Sequence, residues 1–141
     1  MDREYFIYRL FFKMLVRITD GVKVMVTTEF QPDYSNPAHS HFVFTYRVVI
    51  ENNSDYTIQL VRRHWIIADS FGETREVEGE GVVGQQPILE PGESHEYVSG
   101  CNLKTGIGKM VGTYKMRRIV DNSEFLVNIP EFTMMVPWRQ N

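Results

Sequence analysis

Apolar and polar side chains alternate along most of the chain from residue 22 to residue 136. The clearest example places five large apolar side chains on one face of an extended segment: Phe42, Phe44, Tyr46, Val48 and Ile50. A period of two is typical of β-strands with one buried face. The pattern predicts seven to eight strands, at residues 22–30, 42–50, 57–69, 73–77, 94–99, 110–120, 124–129 and 131–136.

Turn-forming residues separate these segments, and no helical pattern is seen after residue 20. The predicted loops between the first strands fall at residues 31–40, 51–55 and 70–72. Short strands at this spacing favour an all-β fold, an immunoglobulin-like or fibronectin III-like β-sandwich of antiparallel strands. Trp65, in the middle of its strand, suits the core of such a sandwich. We therefore predict one domain at residues 20–137, with a C-terminal tail at residues 138–141.

The chain has 141 residues, a formal net charge of −3 and a single cysteine, Cys101. A domain of this length can bury a sufficient core without disulfides or metal ions. Because the chain is acidic overall, we expect no nucleic-acid partner. One cysteine cannot form an internal disulfide, which favours a reducing compartment and therefore the cytoplasm.

Residues 1–19 form an N-terminal extension that is rich in large apolar side chains. Arg9, Lys13 and Arg17 interrupt the apolar run, so we expect no membrane span, and no small-residue cleavage site follows. Three interpretations stay open. The segment is a short helix or strand packed on the domain, a disordered or wrongly assigned start before Met14, or a helix whose three cations share one face on a membrane surface.

Residues 79–84 read Gly-Glu-Gly-Val-Val-Gly, which is the GxGxxG spacing of dinucleotide-binding folds. In those folds the glycines lead from a strand into a helix whose N-terminus faces the pyrophosphate. Here Pro87, Pro91 and Gly92 follow and leave no room for that helix. Each nearby carboxylate would also oppose an anion ~8 Å away by about 0.5 kcal/mol; three are close in sequence, at Glu76, Glu78 and Glu80. The motif predicts a turn or a protein-contact loop.

Two further stretches are candidates for binding because they carry clustered basic residues. Residues 100–109 are glycine-rich and predict a long connection between strands, in which Lys104 and Lys109 make the loop more receptive to an anion. Arg62, Arg63 and His64 form a basic cluster just before Trp65, and we expect His64 to pack or hydrogen-bond on the sheet surface. An ordinary charged sheet surface is the alternative interpretation of both sets.

His39 and His41 are the candidate metal ligands. If this segment is extended, the two imidazoles point the same way and could hold a divalent cation weakly, although no third ligand is placed by spacing. No other cofactor is expected. No nucleophile and base can be paired from the sequence, since Ser94 and His95 are neighbours on a strand and face opposite ways. We therefore expect a protein that is not an enzyme.

Several unrelated strings, in the same order, resemble the ApaG family over about residues 20–137. They include Arg62-Arg-His-Trp-Ile-Ile67, Glu76 to Pro87, Leu89 to Ser94, Tyr97 to Lys104, Gly112 to Met116 and Ile129 to Phe132. The resemblance implies a fibronectin III-like sandwich. It also implies a link to resistance to cobalt and magnesium and to diadenosine tetraphosphate metabolism, without an established enzymatic activity. The motif that the family is proposed to use for pyrophosphate maps onto Gly79, Gly81 and Gly84.

Two functional hypotheses follow from the residues and the resemblance together. The first is a non-enzymatic interaction module that binds a protein partner through its glycine-rich loops, as related domains in eukaryotic F-box and polymerase-associated proteins suggest. The second is a sensor that binds a nucleotide polyphosphate or a divalent cation through the same loops or through His39 and His41. A homodimer is compatible with both hypotheses.

Overall fold

A computed structural model describes residues 14–139, and within them the chain forms nine β-strands and three short 3₁₀ helices. The strands are β1 (Leu15–Thr19), β2 (Val22–Phe30), β3 (Phe42–Asn52), β4 (Ile58–Asp69), β5 (Thr74–Glu80), β6 (Ile88–Leu89), β7 (Ser94–Leu103), β8 (Ile107–Arg118) and β9 (Glu124–Met135). The 3₁₀ helices are Pro32–Tyr34, Pro37–His39 and Pro137–Arg139. No helix in this part of the chain is long and apolar enough to cross a membrane.

The strands form two antiparallel sheets that pack face to face. The first sheet has the order β1-β2-β3-β7, and the second has the order β5-β4-β8-β9. The two-residue strand β6 pairs with the start of β4, on the edge where β5 pairs further along. The predicted all-β sandwich is confirmed. The structure has nine strands where seven to eight were predicted, because β1 and β6 were not among the predicted strands and the two strands predicted at residues 124–129 and 131–136 are one.

Alternation along the strands builds the core between the sheets. In β2 the residues Val22, Val24 and Val26 are buried and their neighbours are less so. Trp65 of β4 is 1% exposed at the centre and meets Tyr46 and Tyr114 edge-on. Gly112 of β8 lies directly against its ring, where a Cβ atom would come within 2.5 Å of Cε3. The expected place of Trp65 in the core is therefore confirmed.

Two predicted boundaries between strands are wrong. Residues 100–109 are not a long loop, because β7 continues to Leu103 and β8 begins at Ile107. Residues 124–135 form one strand, although Pro130 suggested a break. The β8–β9 register shifts between Met110 and Gly112. A bulge at this point accommodates proline, which has no amide to give to the ladder.

The N-terminal extension contributes to the sandwich. Leu15–Thr19 pairs with β2, and the Thr19 hydroxyl oxygen accepts a hydrogen bond of 3.2 Å from the Asn128 amide of β9. This agrees with a strand packed on the domain and starts the sheet before residue 20. Arg17 is on that strand, so a helix carrying Arg9, Lys13 and Arg17 on one face does not extend this far; Arg9 and Lys13 lie outside the described residues.

Candidate functional site: the glycine hairpin

The GxGxxG motif ends in a β-hairpin. Val82 and Gln85 exchange two backbone hydrogen bonds, of 2.8 and 3.0 Å. The two residues between them, Val83 and Gly84, have φ values of 47° and 74°. Positive φ at both central residues is what a type I′ turn requires. We call residues 81–86 the glycine hairpin.

The glycine hairpin is fastened to a bulge in β4. The register between β4 and β8 shifts between Leu60 and Arg62, which leaves Val61 as the extra residue. The carbonyl oxygen of Val61 accepts hydrogen bonds of 2.9 Å from the Gly81 amide and from Nε2 of Gln86. Val82 is fully buried beneath the hairpin, whereas Val83 is 62% exposed at its tip. The hairpin is thus anchored at its base and presents one apolar side chain to solvent.

Arg63 hydrogen-bonds to the base of the hairpin from the inner side of the second sheet. It lies two residues before the buried Trp65 and shares its face, and it pairs across the strands with Gly79 of β5. Its Nη1 donates to the carbonyl oxygens of Glu80 and Gly81, at 3.0 and 3.1 Å. A Cβ atom on Gly79 would come within 3.0 Å of this guanidinium. Gly79 is therefore a strand residue that leaves space for Arg63.

The hairpin offers little to an anion. The amides of Gly81, Val82 and Gln85 donate to protein carbonyls, so they are not free to cradle a phosphate. The Arg63 guanidinium bonds to two carbonyl oxygens of the motif itself. The carboxylates of Glu78 and Glu80 are exposed nearby. Three amide donors of the hairpin are therefore occupied and negative charge lies close by, which disfavours pyrophosphate.

The basic cluster predicted at Arg62, Arg63 and His64 is divided between two faces of the sheet. Arg62 and His64 point outward, where Arg62 lies 3.9 Å from Glu78 and the His64 imidazole hydrogen-bonds to Glu76. This confirms the expectation that His64 hydrogen-bonds on the sheet surface. A shallow groove of about 140 Å³ lies beside them, and Thr113, Lys115 and Leu126 complete its lining. Arg62 and His64 each have an acidic neighbour, so this part of the outer face carries basic and acidic side chains in pairs.

Lys104 and Lys109 do not form a cationic loop. Lys104 follows β7 and its Nζ lies 3.9 Å from Glu73, whereas Lys109 is on β8 with its Nζ 3.1 Å from Glu131. The connection between the two strands is only Lys104 to Gly106. The predicted long loop at residues 100–109 is therefore wrong, and anion binding by its two lysines stays a prediction.

His39 and His41 are not in the extended arrangement that a shared metal ion would need. His39 ends the 3₁₀ helix Pro37–His39, and the next residue, Ser40, has a left-handed φ of 56°. His41 instead forms a bridge with Asn36. Within residues 14–139, no group of three or more His, Cys, Asp or Glu side chains could hold a metal ion.

A polar cluster between the two sheets was missed by the sequence reasoning. Tyr97 of β7 and Tyr114 of β8 share a hydrogen bond between their hydroxyls, and burial raises the pKa of both. At the neighbouring strand edge, Nη2 of Arg75 lies 2.6 Å from the carbonyl oxygen of Asn102 and 3.4 Å from the Cys101 sulfur. Burial raises the pKa of the Cys101 thiol, although Arg75 opposes this. The signal in the sequence was an arginine at an alternating, inward position of β5.

Comparison with known proteins identifies the family. A family model described as the ApaG domain matches residues 32–118, which is more than half of the chain. The chain belongs to the ApaG family. Protein ApaG of Anaeromyxobacter dehalogenans is 48% identical over 128 residues, which cover 91% of this chain and 100% of that relative. Protein ApaG of Paramagnetospirillum magneticum is 46% identical over 124 residues, which cover 88% and 95%.

A solved structure of similar fold supports the same assignment. The crystal structure of a Bordetella pertussis protein described as ApaA matches with a TM-score of 0.79 and 45% identity. The match covers 82% of this chain and 94% of that one. The family resemblance inferred from the sequence is thus confirmed.

Proposed function

We propose that this ApaG-family domain is a non-enzymatic interaction module that contacts a protein partner through the glycine hairpin. The observation that carries the proposal is Val83. It is a β-branched residue held at a φ of 47°, at the exposed tip of a hydrogen-bonded turn. That conformation costs a non-glycine residue roughly 1–2 kcal/mol. A turn that served only to join two strands would favour asparagine or glycine at this position.

Two features support a role without catalysis. Cys101 is buried and its pKa is raised, so its thiol is neutral at physiological pH and a poor nucleophile. Ser94 and His95 alternate along β7, with Ser94 exposed and His95 half-buried, so they face opposite ways. The sensor hypothesis has less support, because the amides of Gly81, Val82 and Gln85 already donate to carbonyl oxygens. Among residues 14–139, His39 and His41 also belong to no group of three or more potential metal ligands.

The test replaces Val83 with asparagine. Asn-Gly is the preferred pair for a type I′ turn, so we expect the Val83→Asn domain to be more stable by about 1 kcal/mol in urea unfolding. At the same time we expect it to lose proteins that the wild-type domain retains from a lysate, identified by mass spectrometry and re-measured with the purified partner.

Ile18→Asn is the matched control, because Ile18 is also β-branched and exposed but lies on β1 at the far edge of the first sheet. Equal affinity of wild-type and Val83→Asn for the purified partner would contradict the proposal. Saturable amide shifts on addition of diadenosine tetraphosphate or Mg²⁺ in NMR spectra would instead favour the sensor hypothesis.

A further inference from the structure

The second sheet extends beyond the first at one edge of the sandwich. The inner face of β5 carries Arg75, Val77 and Gly79, which pair with Ile67, Trp65 and Arg63 of β4. Trp65 is 1% exposed, but its neighbour Val77 is 36% exposed. The first sheet ends at β7, and among the described strands none covers the inner face of β5. An uncovered space therefore lies next to β7 and against β5.

Among the described residues, no strand pairs with the edge of β7 opposite β3, and the backbone groups on that edge face this space. Val43 of β3 directs its carbonyl toward Gln31 and its amide toward Ser35, away from β7. Its partner in the register is Asn102, so the backbone groups of Asn102 point away from β3. Arg75 donates to the carbonyl of Asn102 from that side. By alternation the N–H and C=O groups of Glu96, Val98 and Gly100 face the same free edge.

The space also contains positive charge that lacks an acidic partner. Arg63 and Arg75 bond to backbone carbonyls and to Cys101, and neither has a carboxylate within 4.0 Å in the described part of the chain. Arg63 lies against Gly79, four residues from Arg75 along β5. At about 3.4 Å per residue the two cationic positions are roughly 14 Å apart, with Val77 midway.

We propose that an extended segment of a protein partner adds to β7 as a fifth strand of the first sheet, with acidic, apolar and acidic side chains at successive inward positions. Inward side chains of a strand recur every second residue, at about 7 Å. The outer two would therefore face Arg63 and Arg75 while the middle one covers Val77. Main-chain bonds would supply affinity and the alternate side chains specificity, as in other cases of strand addition. This inference rests on the proposed role as an interaction module.

The first experiment measures hydrogen exchange by NMR in the free full-length protein at low concentration. We expect fast exchange at the amides of Glu96, Val98 and Gly100, which face the open edge. The intervening amides of Tyr97, Ser99 and Cys101 bond to β3 and provide the internal control, with slow exchange. Protection of both sets in the free protein would overturn the proposal, because residues 1–13 or a second copy would then already fill the space.

The second experiment titrates the acetylated and amidated peptide Ser-Glu-Thr-Val-Thr-Glu-Ser into the protein. We expect protection of the three edge amides and affinity about tenfold higher than for the same peptide with glutamine in place of glutamate. We expect Val98→Pro to abolish binding, because proline lacks the amide that would donate to the added strand. The hydrogen bonds between β7 and β3 do not use this amide. Val98→Ala is the control that keeps the amide.

Arg75→Gln should remove most of the preference for the glutamate peptide over the glutamine peptide, with thermal unfolding as the check on folding. Equal binding of both peptides by wild-type, or binding by Val98→Pro equal to that by Val98→Ala, would overturn the proposal. The two proposals fail separately. If binding of the purified partner depends on Val83 but is unchanged in Val98→Pro, strand addition is contradicted and the hairpin contact is supported. The converse result rejects the hairpin contact.

Discussion

Each glycine of the GxGxxG motif has its own structural reason, and none of them involves a helix. Gly79 leaves space for the Arg63 guanidinium. Gly81 has a φ of 64°, and a Cβ atom there would lie 2.2 Å from the carbonyl oxygen of Gln85. Gly84 has a φ of 74° but open space around it. The spacing of the motif therefore follows from a hairpin that is tightly hydrogen-bonded to a strand bulge.

Gly81 and Gly84 should respond differently to alanine. Gly84→Ala should lower the free energy of unfolding by about 1–2 kcal/mol, the cost of a left-handed backbone conformation at a residue with a Cβ atom. Gly81→Ala meets the same penalty and a contact with backbone, which adds about 1–3 kcal/mol because the hairpin must shift. Urea unfolding of both variants measures the difference. Equal losses of stability would show that the hairpin relaxes freely around Gly81.

Arg62 and Arg63 illustrate what the sequence could not predict at this scale. Leu60 points inward, so simple alternation would place Arg62 inward and Arg63 outward. The bulge at Val61 inserts one residue and reverses the two. A bulge leaves no reliable mark in the side-chain pattern, so the face that each arginine occupies became visible only in the structure.

At the scale of elements, Asn52 joins three of them. Sequence analysis placed it in a turn, but it is the last residue of β3 and is fully buried. Its Nδ2 donates to the carbonyl oxygens of Tyr56 and Leu89, and its Oδ1 accepts from the amide and hydroxyl of Ser54. One side chain thus connects the end of β3, the following turn and β6.

Replacing Asn52 should therefore destabilise the whole domain. We expect Asn52→Leu to cost about 2–4 kcal/mol, because the carbonyls of Leu89 and Tyr56 lose their donor at a buried position. Asn53→Leu, a substitution in the adjacent exposed turn position, is the control, and we expect it to have a small effect. Chemical denaturation of both variants gives the measurement. A cost for Asn52→Leu no larger than that of the control would mean that the turn reorganises.

Glycines were the main source of error in placing the elements. Gly108 is in β8, where a Cβ atom would come within 2.7 Å of the Ala68 carbonyl oxygen and of the Leu103 side chain. It serves close packing, not a turn. A glycine in a strand and a glycine in a loop look alike in a sequence, so the 100–109 stretch was wrongly predicted as a loop.

At the scale of the whole molecule, local alternation was sufficient to predict two antiparallel sheets. The order of strands within each sheet was not predicted, because it depends on contacts between residues far apart in the chain. The uncovered face of β5 is a consequence of that order. β7 follows β5 in sequence but joins the other sheet, which then ends one strand short. No local pattern around Arg75 or Val77 could have indicated this.

The hydrogen bond between Tyr97 and Tyr114 couples the two sheets and predicts how the molecule responds to alkali. Burial raises the pKa of both hydroxyls above the usual value of 10.0, so the folded state keeps protons that the unfolded state releases. The stabilising contribution of this pair is full below pH 10 and falls as the pH rises above it. Each tyrosine then contributes a loss of up to about 1.4 kcal/mol per pH unit.

The double variant Tyr97→Phe/Tyr114→Phe removes both hydroxyl groups together. No buried hydroxyl is then left without its hydrogen-bond partner. Urea unfolding between pH 8 and about pH 11 should therefore show a shallower alkaline loss of stability than in wild-type, by up to about 2.7 kcal/mol per pH unit. Tyr34→Phe, which removes an exposed hydroxyl, should follow the wild-type slope. If the double variant also follows that slope, the two tyrosines ionise as easily in the folded protein as in the unfolded chain, and the coupling between the sheets does not depend on their protons.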